Sequence, residues 1–253
     1  MAATPSAPSP IFDVEVQTAP PADLLRQIVD WAEQRAHKRV SYVNAHVINQ
    51  SFDLPELRHS LLSSDLVYCD GYGVRLAAKA IGLQVPHRMT GADWIWGVAS
   101  LCEAKGRSIY LLGSEPGAAA EAAEALRRWY PRLQVTGTHH GFFDDDSAHE
   151  ERVIEHIAQQ KPDILLVGMG TPRQEVFVER NFDRLDAGVV WTIGALFDYV
   201  SGRTPRAPHW LADRGMEWVF RLVIEPRRMW RRYLVGNPQF LKRVLEARRE
   251  KRP

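Results

Sequence analysis

The stretch DILLVGMGTPRQE, Asp163 to Glu175, sets a short apolar run against a Gly-x-Gly turn and then a helix-forming segment. A run that is apolar on every residue, rather than on alternate ones, reads as a strand covered on both faces. Pro172 falls at the expected first helical position, where a missing N–H costs nothing. Backbone amides at such a helix start favour an anion, a diphosphate for example. Arg173 and Gln174, one turn in, are placed to face it. The G-x-G-x-x-G of dinucleotide-binding enzymes is absent, so Gly168 and Gly170 suggest a nucleotide in general terms only and a dehydrogenase is disfavoured. A second turn of the same kind, LLGSEPG, puts Gly113 and Gly117 behind another apolar run.

Outward from this segment the pattern repeats. Strand-like runs occur at Arg39–Asn44, Leu66–Cys69, Ser108–Leu112, Leu133–Gly137, Asp163–Val167 and Gly188–Ile193. Helical spacing fills stretches between them, notably Ala118–Tyr130 and Ser147–Gln160. Alternating strands and helices predict βαβ crossovers and a mostly parallel, doubly wound sheet with helices on both faces. Ligands of such sheets sit beyond the carboxyl ends of the strands. The residues to inspect are therefore Asn44, Asp70, Gly113, Gly168 to Gln174, and Gly194. Three regions are expected: a loose Pro/Ser/Ala tail over 1–10, an α/β body over 11–200, and a helical appendage over 201–253.

Composition narrows the class. The 253 residues are 45% apolar and 25% charged, which excludes a wholly disordered, collagenous or coiled-coil chain. Cys69 and Cys102 are too few for a disulfide framework or a four-thiolate zinc site. The N-terminus lacks the basic start and apolar run of a secretory signal, and nothing approaches 18 consecutive apolar residues. A soluble or peripheral intracellular protein is the expectation. Net charge is only +1, but its distribution is uneven: residues 201–253 hold 14 Lys and Arg against 5 acids, leaving the first 200 residues at −8. The tail is also amphipathic, with Met229, Trp230, Tyr233 and Leu234 beside Arg227, Arg228, Arg231 and Arg232, and Phe240, Leu241, Val244 and Leu245 beyond. That pattern suits an interfacial helix on an anionic membrane, or a helix pair docked on its own body. Nucleic acid is not favoured, because no DNA- or RNA-binding module accompanies the basic residues.

Asp70 opens DGYGV directly after the strand LVYC. A carboxylate there, beside glycines that admit close approach, is placed to act as a base, or else to cap the following helix. Asn44 either orients a substrate hydroxyl or ties down a turn. Arg88, in HRMTGAD, pairs either with phosphate or with Asp70. The D-x-D of Asp144 and Asp146 would suit a divalent cation, but it precedes SAHEERVIEHI and reads more simply as a cap and acidic first turn. His139-His140 has no C-x-x-C or H-x-x-x-H companion, so no zinc site is expected. G-x-S-x-G is absent, against a serine hydrolase.

In order along the chain stand YVNAH, DGYGV, RMTGAD, IYLLGSEPG, WYPRLQVTGTHHGFF, VGMGTPRQE, IGALFDYVSG with RAPHW, and MEWVFRLVIEPRRMWRR. Together, over roughly Ser41 to Arg232, they resemble the WecB/TagA/CpsF family of bacterial glycosyltransferases. The resemblance implies a Rossmann-like body and inverting transfer from a UDP-sugar to a sugar on a polyprenyl diphosphate, at the cytoplasmic membrane face. It implies N-acetylmannosamine, its uronic acid or a hexose such as glucose as the sugar moved, and no required metal. By the same resemblance Asp70 is the general base, and Asn44, Arg88 and Gln174 line the pocket. Arg221, Arg228 and Arg231 then hold the donor diphosphate. Arg221 and Arg228, seven apart, share a helical face if Pro226 only kinks the helix. Where the family commonly has Thr two residues before the Asn, this chain has Tyr42, which alters the sugar pocket. The alternative is a non-catalytic nucleotide-sensing protein that docks through its basic tail.

Overall fold

The computed structural model describes residues 9–212 and 214–250. Eight strands form one sheet: β1 (Ser9–Ile11), β2 (Val14–Val16), β3 (Lys38–Val43), β4 (Leu66–Cys69), β5 (Ser108–Gly113), β6 (Gln134–His139), β7 (Ile164–Gly168) and β8 (Val189–Thr192). Their order is β1-β2-β4-β3-β8-β7-β5-β6. β1 pairs antiparallel with β2, and the other neighbours pair in parallel. The six expected strands are all present, with ends shifted by a residue or two.

Burial explains the apolar runs. Along β5, Ile109 and Leu111 join one core cluster while Tyr110 and Leu112 join the other. β7 divides the same way, Ile164 and Leu166 against Leu165 and Val167. Successive side chains of a strand point to opposite faces, so a sheet covered by helices on both sides needs apolar residues throughout. The larger cluster also holds Trp94 stacked on Trp191 at 3.9 Å, beneath the carboxyl ends of β3, β4 and β8. Cys69 and Cys102 are free, buried thiols.

Two expectations at the termini change. The expected loose tail falls outside the described residues over 1–8, but Ser9 and Pro10 already belong to the edge strand β1. Proline is tolerated there because an edge strand leaves one row of N–H positions unpaired. β1 and β2 escape the sequence pattern because three residues are too few to display a period.

At the other end, the appendage contains helices Glu217–Ile224, Pro226–Trp230 and Gly236–Glu250, with a π-helical turn Arg231–Val235 joining the last two. Pro226 does not kink one continuous helix. The chain leaves helical geometry at Glu225 (φ −123°, ψ 57°) and Pro226 starts the next helix, where its ring is tolerated. Pro238 follows the π turn. Its missing N–H and its ring, which would crowd the carbonyl four residues back, give a physical reason for wider helical winding there. Met229, Phe240 and Val244 are buried, each contributing about 1.5–3 kcal/mol to holding the appendage down. Asn49 Nδ2 adds a hydrogen bond to Gly236 O at 2.7 Å.

Candidate active site

Beyond the carboxyl ends of β3, β4 and β8 lies a cavity of about 1090 Å³, floored by the sheet and roofed by the appendage. Each floor residue is placed by the backbone around it. Asp70 N–H donates to Val43 O at 3.0 Å, setting the residue after β4 beside the residue after β3. That second residue, Asn44, caps helix Ala45–Asp53: its Oδ1 accepts from His46 and Val47 N–H, both at 3.0 Å. With Oδ1 so occupied, Nδ2 is left to donate to Asp70 Oδ2 at 3.4 Å. Of the two readings of Asn44 the structure shows the one that ties down the turn, and the same cap orients the amide toward the Asp70 carboxylate. Asp70 itself is no cap; Gly71 takes that place before helix Tyr72–Ala80. A Cβ on Gly71 would stand 2.8 Å from Asn44 Cβ, so the close packing of these loops requires glycine after the aspartate.

Burial pushes the Asp70 carboxyl up to about 6, and the charge of Glu217 adds to the rise. The Asn44 hydrogen bond and the Arg88 and Arg232 cations pull the other way. Arg88 arrives because Met89 N–H donates to Cys69 O at 2.8 Å. Its expected partners were a phosphate or Asp70, whereas its ion pair is with Glu217 on the appendage, at 2.7 Å.

Tyr42 lines the cavity, its hydroxyl 3.3 Å from Thr171 Oγ1. Gln174 is fully buried behind that wall. Its Nε2 donates to Glu175 Oε1 at 2.6 Å and to Tyr42 OH at 3.4 Å, and its Oε1 accepts from Gly194 N–H at 2.9 Å. It therefore reaches the cavity only through Tyr42 and Gly194. Burial raises the Glu175 carboxyl to about 7, against the hydrogen bonds from Gln174 and Thr171. The Tyr42 phenol is also pushed up, chiefly by burial, and stays protonated.

The glycine turns divide. Gly170 lines the cavity; Gly113, Gly117 and Gly168 do not. Gly113, at φ +145°, lies so close to β7 that a Cβ would meet Gly168 O at 2.2 Å. Its role is to let two strand ends approach. Gly117 starts helix Ala118–Trp129 in the left-handed region, next to Arg203. Arg173 likewise turns away, bonded to Phe143 O and 3.7 Å from Asp145. The acidic stretch behaves as a helix start, with Ser147 capping Ala148–Gln160 and Asp146 3.8 Å from Arg180. Asp144 and Asp146 lie outside the cavity lining.

The roof carries what the sequence only partly disclosed. Among the described residues, seven arginines line the cavity (Arg88, Arg206, Arg214, Arg221, Arg228, Arg231 and Arg232) against two carboxylates, Asp70 and Glu217. Three are committed elsewhere: Arg88 to Glu217, Arg206 to Asp93, and Arg228 to Glu225 at 2.9 Å. Arg221 and Arg232, which have no ion pair among the described residues, each keep a buried Nε without a hydrogen-bond partner, as does Arg206 beside its pairing with Asp93. Burial works against the Arg221 charge, but Tyr199, Tyr233 and Glu225 around it outweigh that and raise its pKa. Buried guanidinium nitrogens without partners are rare because desolvation is costly, and at a cavity wall they mark where an anion fits. Arg206, Arg214, Glu217 and Arg232 were not singled out from the sequence. The basic run EPRRMWRR was the available signal for Arg232, and a helix-face argument could not choose among its four arginines.

A doubly wound sheet, a cationic roof and one carboxyl at the strand ends give an α/β protein whose cavity suits an anionic ligand and holds a group able to accept a proton. The chain belongs to the family described as Glycosyl transferase WecG/TagA/CpsF, whose model matches residues 9–253. It is therefore a glycosyltransferase by family. A relative from Bacillus spizizenii is 29% identical over 206 residues, covering 81% of this chain and 78% of the relative. One from Bacillus subtilis is 26% identical over 222 residues, covering 88% and 84%. One from Staphylococcus aureus is 25% identical over 207 residues, covering 82% and 79%. All three are named N-acetylglucosaminyldiphosphoundecaprenol N-acetyl-beta-D-mannosaminyltransferase.

Proposed function

We propose that this protein transfers a sugar, with inversion, from a UDP-sugar to a sugar carried on a polyprenyl diphosphate, in envelope or exopolysaccharide synthesis. The supporting observation is the pairing of Asp70 on the floor with Arg221 and Arg232, each with a buried Nε lacking a hydrogen-bond partner, on the roof of one cavity. The acceptor hydroxyl attacks the donor anomeric carbon from the face opposite the UDP. Asp70 takes the hydroxyl proton as the new C–O bond forms. The old C–O bond breaks, and its electrons leave on the UDP diphosphate, whose added charge is met by Arg221, Arg232 and Arg231. Asn44 holds Asp70 in place, and Gln174 holds Tyr42. The names of the relatives favour N-acetylmannosamine as the sugar moved and an N-acetylglucosamine diphosphoundecaprenol acceptor; its uronic acid and glucose are the other donors to try. The arginines take the charge-neutralising part that a divalent cation would otherwise play, so turnover should persist in EDTA.

The test is release of UDP from a panel of UDP-sugars, with a polyprenyl-diphosphate-linked N-acetylglucosamine acceptor, with and without EDTA. Release that depends on acceptor supports the reading. UDP binding with no release across the panel would instead favour a nucleotide-sensing protein.

The pH profile follows from Asp70. Its carboxylate must be ionised to accept a proton, so kcat/KM should rise through about pH 6 and level off above it. Bound diphosphate adds negative charge nearby, which raises the carboxyl further. The limb in kcat should therefore lie at higher pH than the limb in kcat/KM. A flat profile between pH 5 and 8, on the order of experimental error, would contradict the base assignment.

We also propose that the appendage sits on the anionic inner face of the cytoplasmic membrane. No helix among the described residues is long and apolar enough to cross one. Trp230, Leu234, Val235, Leu241 and Leu245 are nevertheless exposed, although Met229, Phe240 and Val244 of the same helices are buried. One stripe docks on the body, as one of the two sequence readings of this tail expected, and the outer face that stays apolar among arginines supports the interfacial reading. Leu234→Glu with Leu241→Glu should weaken binding to anionic vesicles by about tenfold or more. Flotation with and without phosphatidylglycerol measures this, and unchanged flotation would remove the proposed surface.

A further inference from the structure

Away from the cavity, the structure assembles a group that sequence spacing concealed. His139 ends β6, His140 follows it, and His149 is the second residue of helix Ala148–Gln160. One ligand nitrogen from each lies within 4.8 Å of the others, and all three residues are half-buried. None of them lines the sugar-transfer cavity. His139 Nε2 and His149 Nε2 are 3.3 Å apart. Two nitrogens on a tetrahedral zinc ion, each bonded at about 2.0–2.1 Å, are separated by about that distance.

The surroundings suit coordination. His139 Nδ1–H donates to His140 O at 2.7 Å, which leaves the Nε2 lone pair facing His149. A backbone carbonyl on the far nitrogen is the usual support of a metal-binding imidazole. Phe143 packs beside His139 and His149, with ring centroids 6.1 and 5.7 Å away, and shields one side. His140 gives something up: its Nδ1 accepts from Phe142 N–H at 3.2 Å, and coordination through either nitrogen ends that acceptance. The loss is small, since Phe142 is exposed and its amide can turn to water.

We propose that His139, His140 and His149 form a binding site for a divalent first-row transition metal, zinc above all, with water completing the coordination. Among the described residues no carboxylate or thiolate joins the cluster, so the ligand set is three imidazoles with an open position, a set that suits zinc, copper or nickel rather than magnesium or calcium. The ion would bind both ends of the loop between β6 and helix Ala148–Gln160, and so order that loop. Sequence reading rejected zinc because neither His139 nor His140 has a companion four residues away. The third ligand instead comes from across a loop, ten positions on from His139, where only the fold brings it back.

The test uses tag-free full-length protein stripped of metal and titrated calorimetrically with zinc chloride. Cobalt(II) serves as a second probe through its visible absorption. We expect one equivalent of zinc bound in the micromolar range or tighter, and a cobalt spectrum of four-coordinate type. His149→Gln and His139→Gln should each weaken zinc binding by at least about tenfold, while His87→Gln, an exposed histidine outside the cluster, should bind as the parent does. Circular dichroism of each variant separates lost ligands from lost fold; both sites are half-exposed, so the fold should persist. Absence of zinc binding at millimolar concentration, or equal affinity in the parent and His149→Gln, would overturn the proposal. Neither outcome bears on sugar transfer, which is measured separately by UDP release.

Discussion

Asp70→Asn is expected to reduce turnover by about 10²–10⁴-fold while leaving UDP affinity within about twofold of the parent. The substituted amide keeps the shape and can still accept from Asn44 Nδ2, whose orientation is held by its own cap contacts at His46 and Val47 N–H. It cannot accept a proton. The rising limb near pH 6 should vanish from whatever rate remains. Stability gives an independent check. Burial, first, and Glu217, second, raise the Asp70 carboxyl from 3.8 to about 6. A carboxyl with a raised native pKa favours the fold when protonated and loses that contribution as pH climbs from about 4 through 6. At neutral pH the parent therefore carries a destabilising charge that the asparagine lacks, worth at most about 3 kcal/mol. The variant should melt at the same temperature or higher at pH 7.5 while being nearly inactive. A variant that turns over at the parental rate would remove Asp70 from the mechanism.

Arg221→Ala should lower kcat/KM by about 10²–10³-fold, with UDP affinity falling alongside. Arg221 has a buried Nε without a partner, stacks at 5.2 Å over the Tyr199 ring and lines the cavity roof. A group that has been desolvated without a carboxylate partner contributes little to the empty protein and much to a bound diphosphate. The variant should consequently fold normally, which a residue serving mainly as a structural ion-pair partner would not permit. Arg221→Lys should recover only part of the loss, because an ammonium does not reproduce the planar fork that meets two phosphate oxygens at once. Calorimetric titration with UDP and the release assay measure the two effects separately. Intact UDP affinity in Arg221→Ala would place the diphosphate elsewhere on the roof, nearer Arg231 and Arg232.

The doubly wound body was legible because covering both faces of a sheet leaves an unmistakable trace. IYLL, ILLV and VVWTI are apolar at every position except Thr192, and the two core clusters divide the apolar residues by alternation. Asp70 and Asn44 were legible for a related reason: each follows a strand, and the ends of parallel strands converge, whereas Arg88 follows a helix and was placed in the pocket only by the family resemblance. The edge hairpin of β1 and β2 was not, since three-residue strands carry no period.

What sequence position alone determined, then, is the sheet, the convergence of its strand-end residues and the basic character of the tail. Tertiary structure decided the rest, because the deciding contacts join residues far apart in the chain. It withdrew Gly113, Gly117 and Gly168 from the cavity, since those glycines serve close backbone approach, and it placed Gln174 behind Tyr42. It broke the helix at Pro226 yet still brought Arg221 and Arg228 to one cavity, on different helices. It paired Arg88 with Glu217 across 129 positions and left a buried Nε on each of Arg221 and Arg232 without a hydrogen-bond partner. Which charges are neutralised inside the protein and which remain for a ligand depends on three-dimensional packing, and a linear pattern of arginines does not contain that information.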